Sequence, residues 1–166
     1  NGGGLNELID RLRLQFGHLE ITPEELEGRN QRSALFKTMF LAFRAAGAKD
    51  WRSHLAIALD HSGSQHRLQF HHIFPKALLR GSYTPREADD IANLAFIGGK
   101  TNRAISDKAP VTYLLPLVAQ HGAAPFAAQC IPVEEELLAL DHYKAFLQER
   151  RKRIAAALNA FIHAVA

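Results

Sequence analysis

Apolar positions recur along this chain with two different periods, and the change of period divides it. Leu5, Leu8, Ile9, Leu12 and Phe16 stand at helical spacing, and Gly17 is placed to end that helix. Thr22-Pro23-Glu24-Glu25 has the form of a helix start, with Thr as N-cap, Pro at the first position and Glu at the third. Gly28 keeps that helix short. Ser33 caps a stretch in which Leu35, Phe36, Met39, Phe40 and Phe43 form one apolar face ending at Gly47, and Trp51 anchors the turn beyond it. A further helical piece is expected over residues 53–60. Ser62-Gly63-Ser64 reads as a loop, and then the period drops to two. From Arg67 to His72, Leu68, Phe70 and His72 share one side, Gln69 and His71 the other.

Pro75 limits that strand, and residues 76–80 have room for one helical turn. Residues 81–90 are polar and read as a loop. Leu94 to Ile97 form a second short strand, Gly98-Gly99 a turn, and Thr101 or its predecessor opens a helix carrying Asn102. Beyond Pro110 the helical period returns. Pro116 should bend or divide this part, Gly122 and Pro125 should break it, and Pro132 precedes a glutamate-rich helix start. Residues 141–165 make the longest helix, with Tyr143, Leu147, Ile154, Leu158, Phe161 and Val165 on one face. The run Arg150-Arg151-Lys152-Arg153 inside it points all round the axis and reads as a solvated face. The pattern predicts an α+β fold, mainly helical, in one domain over 1–166. It divides into helical support (1–60), a mixed core (61–110) and a helical C-terminal part (111–166).

Composition changes this picture little. The chain has 166 residues, 47% of them hydrophobic, with ten Phe, enough for a packed core. Lys and Arg outnumber Asp and Glu only by 20 to 17. The local distribution says more: Lys76, Arg80, Arg86, Lys100, Arg103 and Lys108 rim the central stretch, which suits a polyanion. One cysteine, Cys130, excludes an internal disulfide and a cysteine-rich zinc knuckle and fits a reducing, cytoplasmic compartment. No apolar run reaches the length of a membrane helix, so no membrane partner is expected. The opening Asn-Gly-Gly-Gly lacks a methionine and reads as a fragment or a linker remnant.

The candidate chemistry lies in residues 68–110. His71 and His72 end the alternating stretch; as strand neighbours they point to opposite faces, which makes a poor chelate but a good division of labour. One ring can hold a metal while the other takes a proton near neutral pH. The alternation puts His72 on the apolar-facing side, which favours its neutral form. Asn102 offers a neutral carbonyl oxygen acceptable to Mg²⁺ or Mn²⁺, and a helix after a turn returns it to the strand end. His54, His61, His121, His142 and His163 are scattered and have no partner by spacing; His18 follows a helix end, and His66 precedes the strand.

His71-His72-Ile73-Phe74-Pro75, with Asn93 and Asn102 nine positions apart, resembles the HNH, or ββα-metal, nucleases. The likeness is closest to the C-terminal HNH domain of two-domain modification-dependent restriction proteins of the GmrS–GmrD type, with the HNH domain of RNA-guided Cas nucleases more distant. Residues 19–28, Ala48-Lys49-Asp50-Trp51 and the helix from Phe146-Leu147 to Arg150-Arg151 also look like that C-terminal region. The resemblance implies a ββα-metal core that hydrolyses DNA phosphodiester bonds with one divalent ion, Mg²⁺ or Mn²⁺. It assigns metal ligation to His71 and Asn102, the general base to His72, and a brace for the base's loop to Asn93. Lys100, Arg103 and Lys108 become candidate phosphate contacts. His71 stands where many relatives have Asp, and imidazole favours transition metals more than a carboxylate does. The family also implies an N-terminal sensor or NTPase domain and a role in restriction of foreign or modified DNA. A catalytically silent nucleic-acid-binding module on the same fold is the alternative, and a structural zinc domain a third.

Overall fold

In the computed structural model, residues 2–17, 20–57 and 68–165 are described, the side chains of residues 2, 3, 16 and 68 excepted. The first helix, α1 (Gly2–Phe16), buries Leu8, Ile9 and Leu12, and Gly17 ends it with a φ of 71° that suits glycine. Thr22 caps the single-turn α2 (Pro23–Leu26), accepting from the Glu25 amide at 3.3 Å. Ser33 caps α3 (Ala34–Ala45) by accepting from the Leu35 amide, and Leu35, Met39, Phe40 and Phe43 are buried as their spacing predicts. The sheet follows: β1 (Leu68–His72) pairs antiparallel with β2 (Leu94–Gly98), from Leu68 opposite Gly98 to His72 opposite Leu94. Between them lie α4 (Lys76–Leu79), α5 (Pro85–Ala88) and a 3₁₀ turn, Ile91–Asn93. Then come α6 (Gly99–Ile105), α7 (Pro110–His121), α8 (Ala124–Ala127), 3₁₀ turns at Glu135–Leu138 and Leu140–His142, and the long α9 (Tyr143–Val165). Helices α2, α3 and the Ile91–Asn93 turn pack against α9. The architecture is mainly helical with one two-stranded antiparallel sheet, as the periodicity predicts.

Several local expectations are corrected. Residues 53–57 form no helix; Ala56 instead makes an isolated bridge to Lys49. The rest of 53–60, the Ser62-Gly63-Ser64 stretch and Arg67 lie outside the described residues. The polar segment 81–90 holds α5, started by a full capping box: the Glu87 amide donates to the Thr84 hydroxyl, and the Thr84 amide to the Glu87 carboxylate. Gly98-Gly99 is no turn, because β2 runs directly into α6. Pro116 sits inside a continuous α7, and the glutamate-rich start at 135 is a 3₁₀ turn rather than an α-helix.

The largest correction concerns the arginine run. Arg150 is fully buried, whereas the run reads as a solvated face. Its Nη1 donates to the carbonyls of Ala92 (2.8 Å) and Leu94 (2.6 Å), and its Nη2 to that of Gln129 (3.1 Å). Burial pushes its pKa down to about 10, so it stays charged at neutral pH. Arg151 pairs with the buried Asp90 at 2.7 Å, and Arg153 pairs with Glu134 and Glu149. Lys152 alone of the four is exposed.

These contacts answer a bookkeeping problem of the sheet. All of Leu94, Ala95, Phe96 and Ile97 are buried, yet β2 has a strand on one side only. Its other edge would carry orphaned backbone groups. Side chains serve as the missing strand. Arg150 takes the Leu94 carbonyl; the Gln129 amide accepts from Phe96 N at 2.8 Å and donates to Phe96 O at 2.7 Å; Asp50 accepts from Gly98 N at 2.8 Å. The three meet alternate residues, as an edge strand would.

Arg150→Met keeps the bulk and removes the donors. With buried acceptors costing roughly 1–3 kcal/mol each when orphaned, urea unfolding should show a loss of more than about 3 kcal/mol. A loss under about 1 kcal/mol would show that the carbonyls find other donors.

Candidate metal and proton-transfer site

The end of β1, the start of α4 and the end of α6 enclose a shallow cleft of about 260 Å³. His71, His72, Lys76, Asn102, Ser106 and Asp107 line it. The backbone reaches this arrangement through two anchors. Asp50 accepts from Gly98 N and from the Thr101 hydroxyl (2.6 Å), which fixes the first turn of α6 and so the place of Asn102. Burial, the largest influence on Asp50, would raise its pKa; the hydrogen bonds from Thr101, Ser53 and Gly98 outweigh it and hold the carboxyl below its ordinary value. Asn93 is fully buried. Its Oδ1 accepts from Phe74 N (2.8 Å), and its Nδ2 donates to the carbonyls of Phe74 (3.0 Å) and Ala88 (2.9 Å). Asn93 therefore braces the chain just after His72 and does not itself face the cleft. Ser106 ends α6 with a φ of 52°, and Asp107 follows it at the rim.

His71 is the buried histidine of the pair, 4% exposed, packed edge-on to Trp51 and to Tyr113. The sequence pattern places His72 on the apolar side instead. The reason for the difference is that the Phe70–His72 side of this short strand opens toward solvent: Phe70 is 42% exposed. Both histidines nonetheless reach one cleft, because His72 is the last residue of β1.

The protons at His71 can be counted. The Tyr113 hydroxyl donates to the Ile73 carbonyl at 2.7 Å, and a carbonyl can only accept. That uses the single Tyr113 proton, since burial pushes the phenol pKa well above its ordinary value. His71 Nε2, 3.0 Å from the same hydroxyl, must then be the donor. Burial, against the raising effect of the Asn102 contact, lowers the His71 pKa to about 4, so at neutral pH the ring carries one proton. That proton is on Nε2, which leaves Nδ1 a bare lone pair. It faces the Asn102 Oδ1 at 2.9 Å. Two acceptors this close repel unless a cation joins them. Neighbouring ligands of an octahedral ion at about 2.1 Å lie about 3 Å apart, so the pair fits Mg²⁺ or Mn²⁺. The Asn102 Nδ2 donates to Gln69 Oε1 at 2.9 Å. Turning both amides over would satisfy His71 by hydrogen bonding, a resting network that a cation would replace.

His72 has a partner that the sequence does not advertise. Its Nε2 donates to Asp89 Oδ1 at 2.9 Å, and Lys76 Nζ lies 3.3 Å from the same carboxylate. Burial, the largest influence on Asp89, raises its pKa, but the hydrogen bonds from His72 and Lys76 together bring it below the ordinary value. Asp89 thus stays ionised and fixes the neutral tautomer of His72 with the proton on Nε2 and the lone pair on Nδ1. The chain matches no protein-family model, no curated protein and no solved structure.

Lys100, Arg103 and Lys108 are exposed on α6 and just beyond it, and none lines the cleft; Lys76 does. Among the described residues no three His, Cys, Asp or Glu side chains are grouped to hold a metal. Two histidines read as partnerless do meet: His54 Nε2 lies 3.0 Å from His121 Nδ1. His142 also has a partner, the Glu136 carbonyl at 2.7 Å. His18, His61 and His66 lie outside the described residues.

The depressed pKa of His71 has a consequence for stability. The unfolded chain takes up the proton near the ordinary histidine value of 6.5, the folded one only near 4. Unfolding therefore gains a proton between those values, and stability falls as pH drops through that window. In EDTA, unfolding free energy should decline from pH 7 to pH 4.5, and the decline should be smaller in His71→Asn. Parallel curves for the two proteins would assign the acid sensitivity elsewhere.

Proposed function

We propose that this chain carries a ββα-metal site of the HNH kind and hydrolyses phosphodiester bonds in DNA with one divalent cation, Mg²⁺ or Mn²⁺. The observation that carries the reading is the pair of converging acceptors, His71 Nδ1 and Asn102 Oδ1, set 2.9 Å apart in the same cleft as a second, carboxylate-held histidine. Strand β1 carries His71 and His72, the 3₁₀ turn before β2 carries Asn93 and helix α6 carries Asn102, the order that the HNH resemblance implies. A cation held by His71 and Asn102 would neutralise charge on a non-bridging phosphate oxygen and on the leaving 3′ oxygen. Two protein ligands leave room for waters and substrate, the usual habit of Mg²⁺.

The chain's own residues do the rest. His72 Nδ1 accepts a proton from water as the water oxygen bonds to phosphorus; the bond to the 3′ oxygen breaks, and that oxygen takes a proton from solvent water, leaving 5′-phosphate and 3′-hydroxyl ends. Asp89 holds the ring and stabilises the imidazolium that forms. Asn93 keeps the loop after His72 in place through Phe74. Lys76 is the cation nearest the reacting phosphate, and Lys100, Arg103 and Lys108 would meet phosphates farther along the strand. The resemblance also suggests a restriction or antiviral effector, joined in a longer protein to a sensor or NTPase domain.

Plasmid DNA with Mg²⁺ or Mn²⁺ should be nicked or cut, and EDTA should stop it. His72→Ala should cut at least a hundredfold more slowly yet bind Mn²⁺ as before, since a positioned base contributes on the order of 10²–10⁴ in rate. Asn102→Ala should lose Mn²⁺ affinity in calorimetric titration along with activity. Asp89→Asn should keep Mn²⁺ affinity and lose rate on the order of tenfold or more, with a shifted pH–rate profile. Normal cleavage by both His72→Ala and Asn102→Ala would place the active site elsewhere.

A further inference from the structure

Next to the cleft lies a second concavity, a groove of about 730 Å³ with an almost wholly apolar floor. Its walls are aromatic: Phe36, Phe40, Phe96 and the exposed Phe70. The rings of Phe36 and Phe70 meet edge to face at 5.9 Å, and Phe36 leans on Phe96 at 4.9 Å. The rim is basic. Lys37 and Arg44 stand seven residues apart on α3, two helical turns, so they share one face along the groove. Both are exposed, and among the described residues neither pairs with an acid and no acidic side chain lines the groove.

The groove and the cleft adjoin at one side chain. Phe70 lines both. Gln69, also in the groove, accepts the hydrogen bond from the Asn102 amide that carries the candidate metal-binding oxygen. A chain that crosses the cleft on the Phe70 side would meet this groove next.

We propose that the groove takes unpaired bases of the nucleic-acid strand whose phosphate sits in the cleft, stacking them on Phe70 and Phe36 while Lys37 and Arg44 hold the flanking phosphates. This rests on the nuclease reading and deepens it, because it makes a single-stranded or locally opened segment the preferred substrate. The chemistry selects the occupant. A paired base hides its faces in the duplex, whereas an unpaired one presents an apolar face to an aromatic wall. A rim of two cations without a carboxylate suits a polyanion bending over an apolar floor better than an apolar protein segment, which would gain nothing from the charges.

The test is fluorescence anisotropy of a labelled oligothymidylate and of a labelled hairpin duplex, in EDTA so that nothing is cut. The single strand should bind at least tenfold more tightly than the duplex. Phe70→Ala, a truncation at a site already exposed, should weaken single-strand binding by roughly fivefold or more, the effect of losing one stacked base. Lys37→Glu with Arg44→Glu should flatten the salt dependence of binding by about 1.4 in log–log slope, two phosphate contacts at about 0.7 each. Equal affinity for the two oligonucleotides overturns the proposal, as does single-strand binding unchanged by both variants. So does an apolar dye that binds the groove and is not displaced by oligothymidylate, which would mark a protein-docking surface. Cleavage of plasmid DNA separates the two readings. A protein that cuts duplex but shows no single-strand preference loses the groove proposal alone. One that stacks the single strand through Phe70 but cuts no DNA keeps the groove and loses the nuclease.

Discussion

The outer edge of β2 is buried, and its backbone must be satisfied without a third strand. That constraint organises the molecule. An orphaned buried amide or carbonyl costs about as much as a lost hydrogen bond, and this edge presents several. Gln129 answers the two groups of Phe96, Asp50 the amide of Gly98, and Arg150 the carbonyl of Leu94. Each comes from a different part of the chain: a turn after α8, the segment after α3, and the middle of α9. The sheet thus collects the helical parts around itself through polar contacts, and the apolar core closes over them.

The same contacts set the candidate site. Arg150 also holds the Ala92 carbonyl, so the backbone on both sides of Asn93 is fixed by one guanidinium. Asn93 in turn ties Phe74 and Ala88 together, beside His72 and Asp89 respectively. Asp50 reaches from Gly98 to Thr101 and so fixes the start of the helix that carries Asn102. On the inner side Tyr113 links α7 to His71 and to the Ile73 carbonyl. No chemistry-bearing residue is placed by its own strand or helix alone. The site is a consequence of how the short sheet is held.

Part of this was legible in the sequence. The hairpin, its two histidines and the helix carrying Asn102 follow from alternation and from punctuation by Pro and Gly, which are local, while the part given to Asn93 comes from the HNH resemblance. What spacing cannot show is which distant side chain comes to meet a strand. Asp89 lies in a stretch whose polar residues suggested a loop, although Thr84-Pro85-Arg86-Glu87 spells out a capped helical turn that brings it to His72. Tyr113 is a member of an apolar helical stretch until its hydroxyl is seen against His71. Arg150 misleads most, because a run of four basic residues in a helix gives no sign of which one faces the core; only the unpaired β2 edge explains the choice. The alternation also points to the wrong side of β1 as the buried one, since a five-residue strand with one exposed Phe does not announce its inner face.

The account depends most on His71 carrying its proton on Nε2 and offering Nδ1 to a cation with Asn102. Long-range ¹H–¹⁵N correlation of the imidazole tests that directly. At neutral pH without metal, the account predicts a neutral ring protonated at Nε2, and a selective shift of Nδ1 when stoichiometric Mg²⁺ or another diamagnetic divalent ion is added. A proton found on Nδ1, or an Nδ1 signal that ignores the ion, would contradict it.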